Sequence, residues 1–424
     1  MKQATIALET LGCKLNQAET ELLARQFAQA GFRVVDSSQP ADVWILNTCS
    51  VTHIADRKSR HLLRLARRLH PQALLVATGC YVQRASDELL QMEEVDLLAD
   101  NRDKVRLVEI VSNILGTSCS MEASSLSEPG CDGFKTRAMI KIQDGCNDFC
   151  SYCIVPYVRG GERSLSLDEI ISEVQTRVDA GYKEIVITGT KLGAYHCNGT
   201  DLKHLLEHIL AKTQVTRLRL SSLQPRDLTT SFLSLWADAR MCAHIHLPLQ
   251  SGSPSVLQHM RRRYSPADFE QAVRLARQMI PDVAITTDVI VGFPGESPQE
   301  FEESYRFCEG MAFAAIHVFP YSARPGTLAA SMPQAISAQV KRERSDKLLE
   351  LSRNAAEQFR RRFLGRTVEV LWENKQRSVW QGLTSNYIRV KADSRLDLAN
   401  SFGLVRLIDL CPAGVSGELA GSWS

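Results

Sequence analysis

The sequence predicts an α/β protein in three parts: an N-terminal parallel α/β domain, a central open (β/α)6 barrel and a small all-β barrel. Strand and helix patterns alternate from Ile6 to Asn101, and the alternation restarts at Phe134 after a Ser- and Gly-rich segment. Short alternating segments follow Gly365. A chain of 424 residues also has room for roughly three domains of about 150 residues each.

The overall composition is that of a folded protein without extreme charge. A formal net charge of +2 excludes a histone-like or polyacidic protein, and a hydrophobic content of 44% is too high for global disorder. Apolar stretches such as Met311–Phe319 are too short to cross a bilayer, which needs about 20 residues, and the N-terminus lacks a signal-peptide core. We therefore expect a cytoplasmic protein with no membrane partner. In that compartment, 12 cysteines indicate metal binding or redox chemistry rather than disulfides.

Residues 1–115 form the first predicted domain. Strands are predicted at Ile6–Leu11, Val43–Asn47 and Ala73–Thr78, with helices at Gln17–Ala30 and His53–Leu69. A cysteine follows each strand: Cys13, Cys49 and Cys80. Functional loops lie beyond the carboxyl ends of parallel strands, so the pattern predicts that these cysteines converge. The alternative is that all three are buried structural residues.

Residues 116–133 form a predicted linker, and residues 134–360 form the central domain. Its six predicted strands are Ala138–Ile142, Glu184–Thr188, Arg217–Ser221, His244–Leu249, Ala284–Val291 and Ala314–Phe319. Five helical segments separate them: Ser166–Ala180, Asp201–Lys212, Thr229–Ala239, Pro266–Met279 and Pro298–Glu309. Six units rather than eight predict an open, partial TIM barrel with its chemistry on the C-terminal face.

A long charged helix, Ala338–Phe363, leads from the central domain into the C-terminal part. Three short alternating segments follow: Thr367–Trp372, Tyr387–Val390 and Leu404–Asp409. They predict a small all-β barrel in residues 361–424.

The strongest motif is the C-x-x-x-C-x-x-C array of Cys146, Cys150 and Cys153, on the loop after the first barrel strand. Three thiolates at this spacing can hold three irons of a cubane cluster and leave the fourth iron open. A zinc site with Cys131 as the fourth ligand is an alternative, although zinc sites favour paired short spacings. Five further cysteines are interpreted as small buried residues: Cys119, Cys197, Cys242, Cys308 and Cys411.

This array on the first loop of a six-unit barrel resembles the radical S-adenosylmethionine (SAM) superfamily. The resemblance implies a 4Fe–4S cluster on Cys146, Cys150 and Cys153, with SAM on the open iron. Segments at successive strand ends resemble the SAM contacts of that superfamily. The implied SAM-binding residues are Tyr152, Thr188, Gly189, Thr190, Ser221, Gln250, Asp288, Ile290 and Gly292.

The complete layout resembles the methylthiotransferases, which carry a second 4Fe–4S cluster in the N-terminal domain and a C-terminal TRAM β-barrel. The resemblance assigns that auxiliary cluster to Cys13, Cys49 and Cys80. Thr10–Glu21 resembles the branch that acts on N6-threonylcarbamoyladenosine in tRNA, with Lys14 and Gln17 as the discriminating positions. Ala18 departs from the aromatic residue expected in that branch. Enzymes for isopentenyladenosine in tRNA or for a ribosomal protein remain alternatives.

The implied reaction is methylthiolation of adenine C2 at position 37, next to the anticodon. It uses two SAM molecules, an electron donor such as flavodoxin or ferredoxin, and a sulfur source. Residues 341–391 carry a net positive charge that suits a tRNA partner. We expect Arg360, Arg361 and Arg362 to contact phosphates, and Trp372 and Tyr387 to stack on bases. A solvated helix face and an ordinary barrel core are the alternatives.

Overall fold

A computed structural model describes residues 3–116 and 136–423. Apart from Gly116, the predicted linker lies outside the described residues, as do Cys119 and Cys131. The predicted fold class is confirmed: a parallel α/β sheet, an open β/α barrel and a closed β-barrel follow one another. Within the described ranges, no helix is both long enough and apolar enough to cross a membrane.

The N-terminal sheet has five parallel strands in the order β2-β1-β3-β4-β5. Its strands are β1 (Thr5–Thr10), β2 (Arg33–Val35), β3 (Val43–Thr48), β4 (Leu74–Gly79) and β5 (Leu97–Ala99). The helices are α1 (Lys14–Gln29), α2 (His53–Leu69), α3 (Cys80–Leu90) and α4 (Leu107–Leu115). Helices α1 and α4 pack on one face, and α2 and α3 on the other. Strand β3 is buried along its whole length because it is central and covered on both faces.

Two glycines make the turns from strand to helix in this sheet. Gly12 has φ +112° and Gly79 has φ +99°, a region in which a side chain is strained. Helix α1 therefore starts at Lys14, directly after Cys13, and α3 starts at Cys80. Cys13 and Cys80 therefore both lie at helix N-termini. The start of α1 predicted at Gln17 is three residues late.

The central domain contains six parallel strands in two sheets, which an isolated parallel bridge between Leu218 and Met241 connects. These strands are β6 (Arg137–Asp144), β8 (Glu184–Gly189), β11 (Arg217–Leu220), β12 (His244–His246), β13 (Ala284–Val291) and β14 (Ala315–Pro320). The short strands are β7 (Arg163–Ser164), β9 (His196–Cys197) and β10 (Thr200–Asp201). Among the described strands none joins β6 to β14, so the barrel is open.

Helices connect the strands of this barrel. They are α5 (Val155–Arg159), α6 (Leu167–Asp179), α7 (Leu202–Lys212), α8 (Thr230–Leu233), α9 (Pro254–His259), α10 (Pro266–Met279) and α11 (Pro298–Met311). The helix predicted at Thr229–Ala239 is only the single turn α8 followed by a 3-10 turn. The strand predicted at His244–Leu249 ends at His246, two residues before Pro248, which cannot donate a ladder hydrogen bond.

Helix α12 (Ala338–Arg361) packs on the core of the central barrel and leads into a closed five-stranded barrel in the order β15-β16-β17-β19-β18. Its strands are β15 (Thr367–Gln376), β16 (Val379–Thr384), β17 (Arg389–Asp393), β18 (Phe402–Cys411) and β19 (Gly414–Trp423). The stacking role predicted for Trp372 is wrong, because its side chain is fully buried in the barrel core beside Val370 and Val405. A buried ring has no face to offer a nucleotide.

Candidate active site

One cavity of about 870 Å³ lies where the three parts meet. The N-terminal sheet contributes its three strand-end cysteines, and the central barrel contributes residues from its strand ends. The barrel residues predicted to bind SAM that line it are Thr188, Gly189, Thr190, Ser221 and Asp288. The C-terminal barrel closes one side with Tyr387.

Cys13, Cys49 and Cys80 line this cavity together, as the parallel-sheet argument predicts. They follow β1, β3 and β4, which are adjacent in the sheet. All three are free thiols; Cys13 is exposed, and the other two are buried. Burial raises the pKa of Cys49 to about 12, and the neighbouring Cys80 and Cys13 add to the shift. Such a group becomes a thiolate most readily when a cation binds it.

The turn at Gly12 supports the fit of a metal cluster to these thiols. A Cβ atom on Gly12 would lie 2.6 Å from Cys49 Cβ and 2.9 Å from Cys49 Sγ. The Cys13 turn therefore approaches Cys49 more closely than any residue except glycine permits. In addition, the N-terminus of α1 has no side-chain cap, so its partial positive charge is available to an anionic group held by these thiols.

A buried ion network lies beside the N-terminal cysteines. The Glu19 carboxylate accepts from Lys104 at 2.6 Å, Arg159 at 2.9 Å and Lys141 at 2.9 Å. Arg159 also donates to Asn16 Oδ1 at 2.6 Å and to Asp144 Oδ1 at 3.0 Å. The network connects α1 to β6 and α5 and thereby fixes the N-terminal cysteines relative to the barrel.

Cys146, Cys150 and Cys153 lie on the loop between β6 and α5. The Cys153 N–H donates to Cys150 O at 3.0 Å, and Arg262 Nη1 lies 3.5 Å from Cys150 Sγ. Gly145 starts the loop at φ +74°, where a Cβ would lie 2.0 Å from the carbonyl oxygen of Gly161. Burial raises the pKa of Cys153 to about 12. The loop is thus a compact set of free thiols with a nearby cation.

The two cysteine sets are connected by packing. Ile154, directly after Cys153, and Val158 of α5 form a buried cluster with Cys80. Both apolar residues also line the cavity. Of the cysteines interpreted as structural, Cys242 and Cys308 are buried, whereas Cys197 and Cys411 are partly exposed.

The remaining residues predicted to bind SAM lie beside the cavity rather than in its described lining. Tyr152 and Ile290 pack against a small apolar cluster with Phe293 and Tyr321. The Gln250 N–H donates to Asp288 O at 2.7 Å, with φ +69° at Gln250. The Gly292 N–H is committed to Glu296 Oε2 at 2.6 Å.

The three arginines predicted to bind tRNA face different surroundings. Arg360 lines the cavity, and its Nε is buried without a hydrogen-bond partner among the described atoms. Arg361 is exposed and pairs with Glu357 at 2.5 Å. Arg362 is exposed and lies 3.9 Å from Asp282. Only Arg360 therefore projects toward the predicted chemistry.

Comparison with known proteins identifies the family of this chain. The radical SAM superfamily matches residues 140–308, and the uncharacterized protein family UPF0004 matches residues 5–100. The chain is 37% identical to the threonylcarbamoyladenosine tRNA methylthiotransferase MtaB of Bacillus subtilis (strain 168), over 96% of this chain and 94% of the relative. The chain belongs to the radical SAM tRNA methylthiotransferases. Membership confirms the predicted enzyme class and its cofactors, SAM and a 4Fe–4S cluster.

Other members of the family have a different named product. The tRNA-2-methylthio-N(6)-dimethylallyladenosine synthase of Thermodesulfovibrio yellowstonii (strain ATCC 51303 / DSM 11347 / YP87) is 32% identical over 92% of each chain. Among solved structures, the radical SAM methyltransferase TsrM from Kitasatospora setae, with cobalamin and a [4Fe-4S] cluster bound, superposes with a TM-score of 0.60. It is 16% identical and covers 78% of this chain and 77% of that chain, so the likeness concerns the fold.

Sequence reasoning named Asp288 but did not predict that it lies among histidines inside this methylthiotransferase barrel. His246 Nε2 lies 3.2 Å from Asp288 Oδ2, and His317 completes a set whose ligand atoms lie within 4.8 Å of one another. Burial lowers the pKa of His317 and holds that of His244 well below its usual range, so both are neutral at pH 7. The alternation of histidine and apolar residues at 244–246 and 316–318 was the available signal, because it places the histidines on the strand face opposite the apolar core.

Proposed function

We propose that this enzyme methylthiolates C2 of N6-threonylcarbamoyladenosine at position 37 of tRNA, using two 4Fe–4S clusters and two SAM molecules. One observation carries the proposal: the strand-end cysteines of the N-terminal sheet and the strand ends of the radical SAM barrel face one cavity. A sulfur centre held by these cysteines and SAM held at these strand ends would therefore border the same space.

The two cysteine sets have different proposed roles. Cys146, Cys150 and Cys153 would hold the cluster that binds SAM, and Cys13, Cys49 and Cys80 would hold the auxiliary cluster. When bound, the two clusters and SAM supply the electron, the radical chemistry and the methylated sulfur with which an unactivated C–H bond is replaced. The close approach at Gly12 and the free, buried thiols support the fit.

The chain's own residues bind and orient the reactants. We assign SAM to the part of the cavity beside Thr188, Gly189, Thr190, Ser221 and Asp288, and propose Tyr152, Gln250, Ile290 and Gly292 as contacts from the adjoining loops. Apolar lining groups keep water from the reaction: Ile154, Val158, Ala284, Phe319 and Ile388.

The tRNA is proposed to enter past Arg360 and Tyr387, on the side that α12 and the C-terminal barrel border. Arg361 and Arg362 are proposed as outer phosphate contacts. We further propose three domains at 1–115, 134–360 and 361–424, a cytoplasmic location, an electron donor such as flavodoxin or ferredoxin, and a separate sulfur source.

Mass spectrometry of tRNA nucleosides tests the substrate. Anaerobically reconstituted enzyme with SAM and a reductant is expected to add the methylthio group to tRNA that carries N6-threonylcarbamoyladenosine. A parallel reaction uses tRNA with isopentenyladenosine, because relatives with that named product are also similar to this chain. Methylthiolation of the isopentenyl substrate alone would contradict the proposal.

Iron and sulfide analysis tests the cluster assignment. Replacing Cys146, Cys150 and Cys153 together by Ala is expected to halve the iron content, since one of two clusters loses its ligands. Cys13→Ala is expected to retain SAM cleavage and lose the methylthio product. Cys197→Ala, which removes a partly exposed thiol from the hairpin strand β9, is the matched control and should keep full iron.

A further inference from the structure

Lys14 lies near Arg219 and Arg137, which already have carboxylate partners. The neighbouring ion pairs join the barrel strands to one another or to the C-terminal barrel. They are Arg219 with Glu184 at 2.7 Å, Arg137 with Glu373 at 2.7 Å, and Arg217 with Glu369 at 3.0 Å. These carboxylates are therefore committed, and the extra positive charge in this wall belongs to Lys14.

The Lys14 ammonium itself has no anionic partner. Its Nζ lies 5.7 Å from the centroid of the Tyr387 ring and makes no ion pair or hydrogen bond to any residue in 3–116 or 136–423. The side chain is half-buried and lines the cavity. Tyr387 in turn stacks on His244 with ring centroids 4.6 Å apart. An ammonium in such a place is expected to meet an anion that comes with a ligand.

The cavity as a whole favours an anionic ligand. Four basic side chains line it: Lys14, Arg159, Arg360 and Arg389. Among the described residues its single lining carboxylate is Asp288, whose Oδ2 lies 3.2 Å from His246 Nε2. Two positions in the Thr10–Glu21 segment are expected from the resemblance to distinguish the substrate branches. Lys14 lines this space, whereas Gln17 bonds to Glu21 on its own helix at 3.0 Å.

We propose that Lys14 binds the carboxylate of the threonyl group on the N6 substituent and thereby selects that substrate. This inference rests on the proposed function. The threonylcarbamoyl group carries a carboxylate, whereas the isopentenyl group is an uncharged hydrocarbon that gains nothing from an ammonium. Placing Lys14 next to Cys13 would bring the recognised substituent close to the proposed sulfur site on the same turn.

The test removes the charge from the ligand as well as from the protein. Three RNA anticodon stem-loops are compared, with N6-threonylcarbamoyladenosine, its methyl ester or unmodified adenosine at position 37. Their dissociation constants are measured with anaerobically reconstituted enzyme at one salt concentration. For the wild type, the acid should bind about 10- to 100-fold more tightly than the ester, the range of a charge-assisted hydrogen bond.

In Lys14→Gln the acid and the ester should bind equally, whereas Lys14→Arg should keep part of the preference. Lys212→Gln, at the exposed end of α7, is the matched control and should leave the preference unchanged. Iron content of each variant checks that the neighbouring Cys13 site is intact. If Lys14→Gln loses iron, the inference is still tested by comparing the affinities for the acid and the ester in the wild type and in Lys14→Arg.

Three results would overturn the inference. A wild-type ratio near one, or a ratio that persists in Lys14→Gln, would mean that Lys14 does not contact the carboxylate. An equal loss of affinity for all three stem-loops would mean that Lys14 binds a backbone phosphate. Failure of the proposed function gives a different result, since no methylthio product would then form on the threonylcarbamoyl substrate with wild-type enzyme.

Discussion

Replacing Glu19 by Gln is expected to weaken the contact between the N-terminal domain and the barrel. Glu19 is 4% exposed and holds three cations, of which Lys104 and Arg159 are also buried. Glutamine keeps the shape and removes the charge. The substitution therefore leaves buried cations beside the proposed auxiliary cluster without their main counter-ion.

The magnitude follows from the partners that remain. Arg159 keeps Asp144 at 3.0 Å and Lys141 keeps the same carboxylate at 3.5 Å, whereas Lys104 keeps only the Asn47 amide oxygen at 3.3 Å. Breaking a buried ion pair from one side costs about 3–5 kcal/mol. Because two of the three cations retain a carboxylate, we expect the lower end, about 3 kcal/mol.

Hydrogen exchange measures this loss where it occurs. Amides of α1 and α5 that exchange when the two elements separate should exchange about 100-fold faster in Glu19→Gln, since 1.4 kcal/mol is a factor of ten. Arg25→Gln is the control, because the Arg25–Glu173 pair also joins α1 to the barrel but is partly exposed. That control should cost at most about 1 kcal/mol. Exchange rates in Glu19→Gln that match those of Arg25→Gln would refute the reasoning.

The pH dependence gives a second check on the same network. Burial alone would raise the pKa of Glu19, but Lys104, Arg159 and Lys141 hold it well below its usual range. A carboxyl group with a depressed pKa stabilises the fold above its unfolded pKa of about 4.3, and this stabilisation is lost as the pH falls toward the folded value. The difference in opening free energy between wild type and Glu19→Gln, measured by hydrogen exchange, should therefore stay constant from about pH 5 to 8.

Three further predictions concern single residues. Gly12→Ala should lower iron content toward one cluster, because the new Cβ meets Cys49 at 2.6 Å; full iron would contradict the fit argument. Trp372→Ala should destabilise the C-terminal barrel by about 3–5 kcal/mol in urea unfolding, and any loss of tRNA binding should follow from that loss of stability. Loss of tRNA binding by a fully stable variant would instead indicate a direct contact between Trp372 and tRNA. Arg360→Ala should weaken tRNA binding and reduce the slope of log affinity against log salt by about 0.7–0.9. Arg361→Ala should change neither quantity, because Arg361 already pairs with Glu357 on its own helix. Equal effects of the two substitutions would mean that both arginines contact phosphate.

The convergence of Cys13, Cys49 and Cys80 was predictable because strand-helix alternation implies a parallel sheet, and parallel strands end at one edge. That rule uses only the order of elements, so it does not depend on side-chain partners. The buried position of Trp372 was predictable too, since period-two alternation places it on the same strand face as Val370. The aromatic ring of Trp372 suggested stacking on a tRNA base, but the period-two alternation of the strand predicts its burial correctly.

The ion network could not be predicted from the sequence. Glu19 lies in a polar helical stretch that suits a solvent-facing surface, and its partners come from three separate elements. Composition records how many charges exist but not which of them meet. The same limit applies to Lys14, whose lack of a partner becomes visible only when every neighbouring carboxylate has been assigned.

The open barrel explains why this site needs all three parts of the chain. On β6, Ala138 and Ile140 face the outer helices, whereas Met139 and Lys141 face inward and contact α1 through Ala18 and Glu19. The missing strands therefore leave an interior that the N-terminal domain fills, and Ala18 is a packing residue there rather than a substrate contact. From the other side, the C-terminal barrel closes the space with Tyr387. Because each wall comes from a different domain, a charge at the junction, such as that of Lys14, can select the substrate without altering the residues proposed to bind SAM.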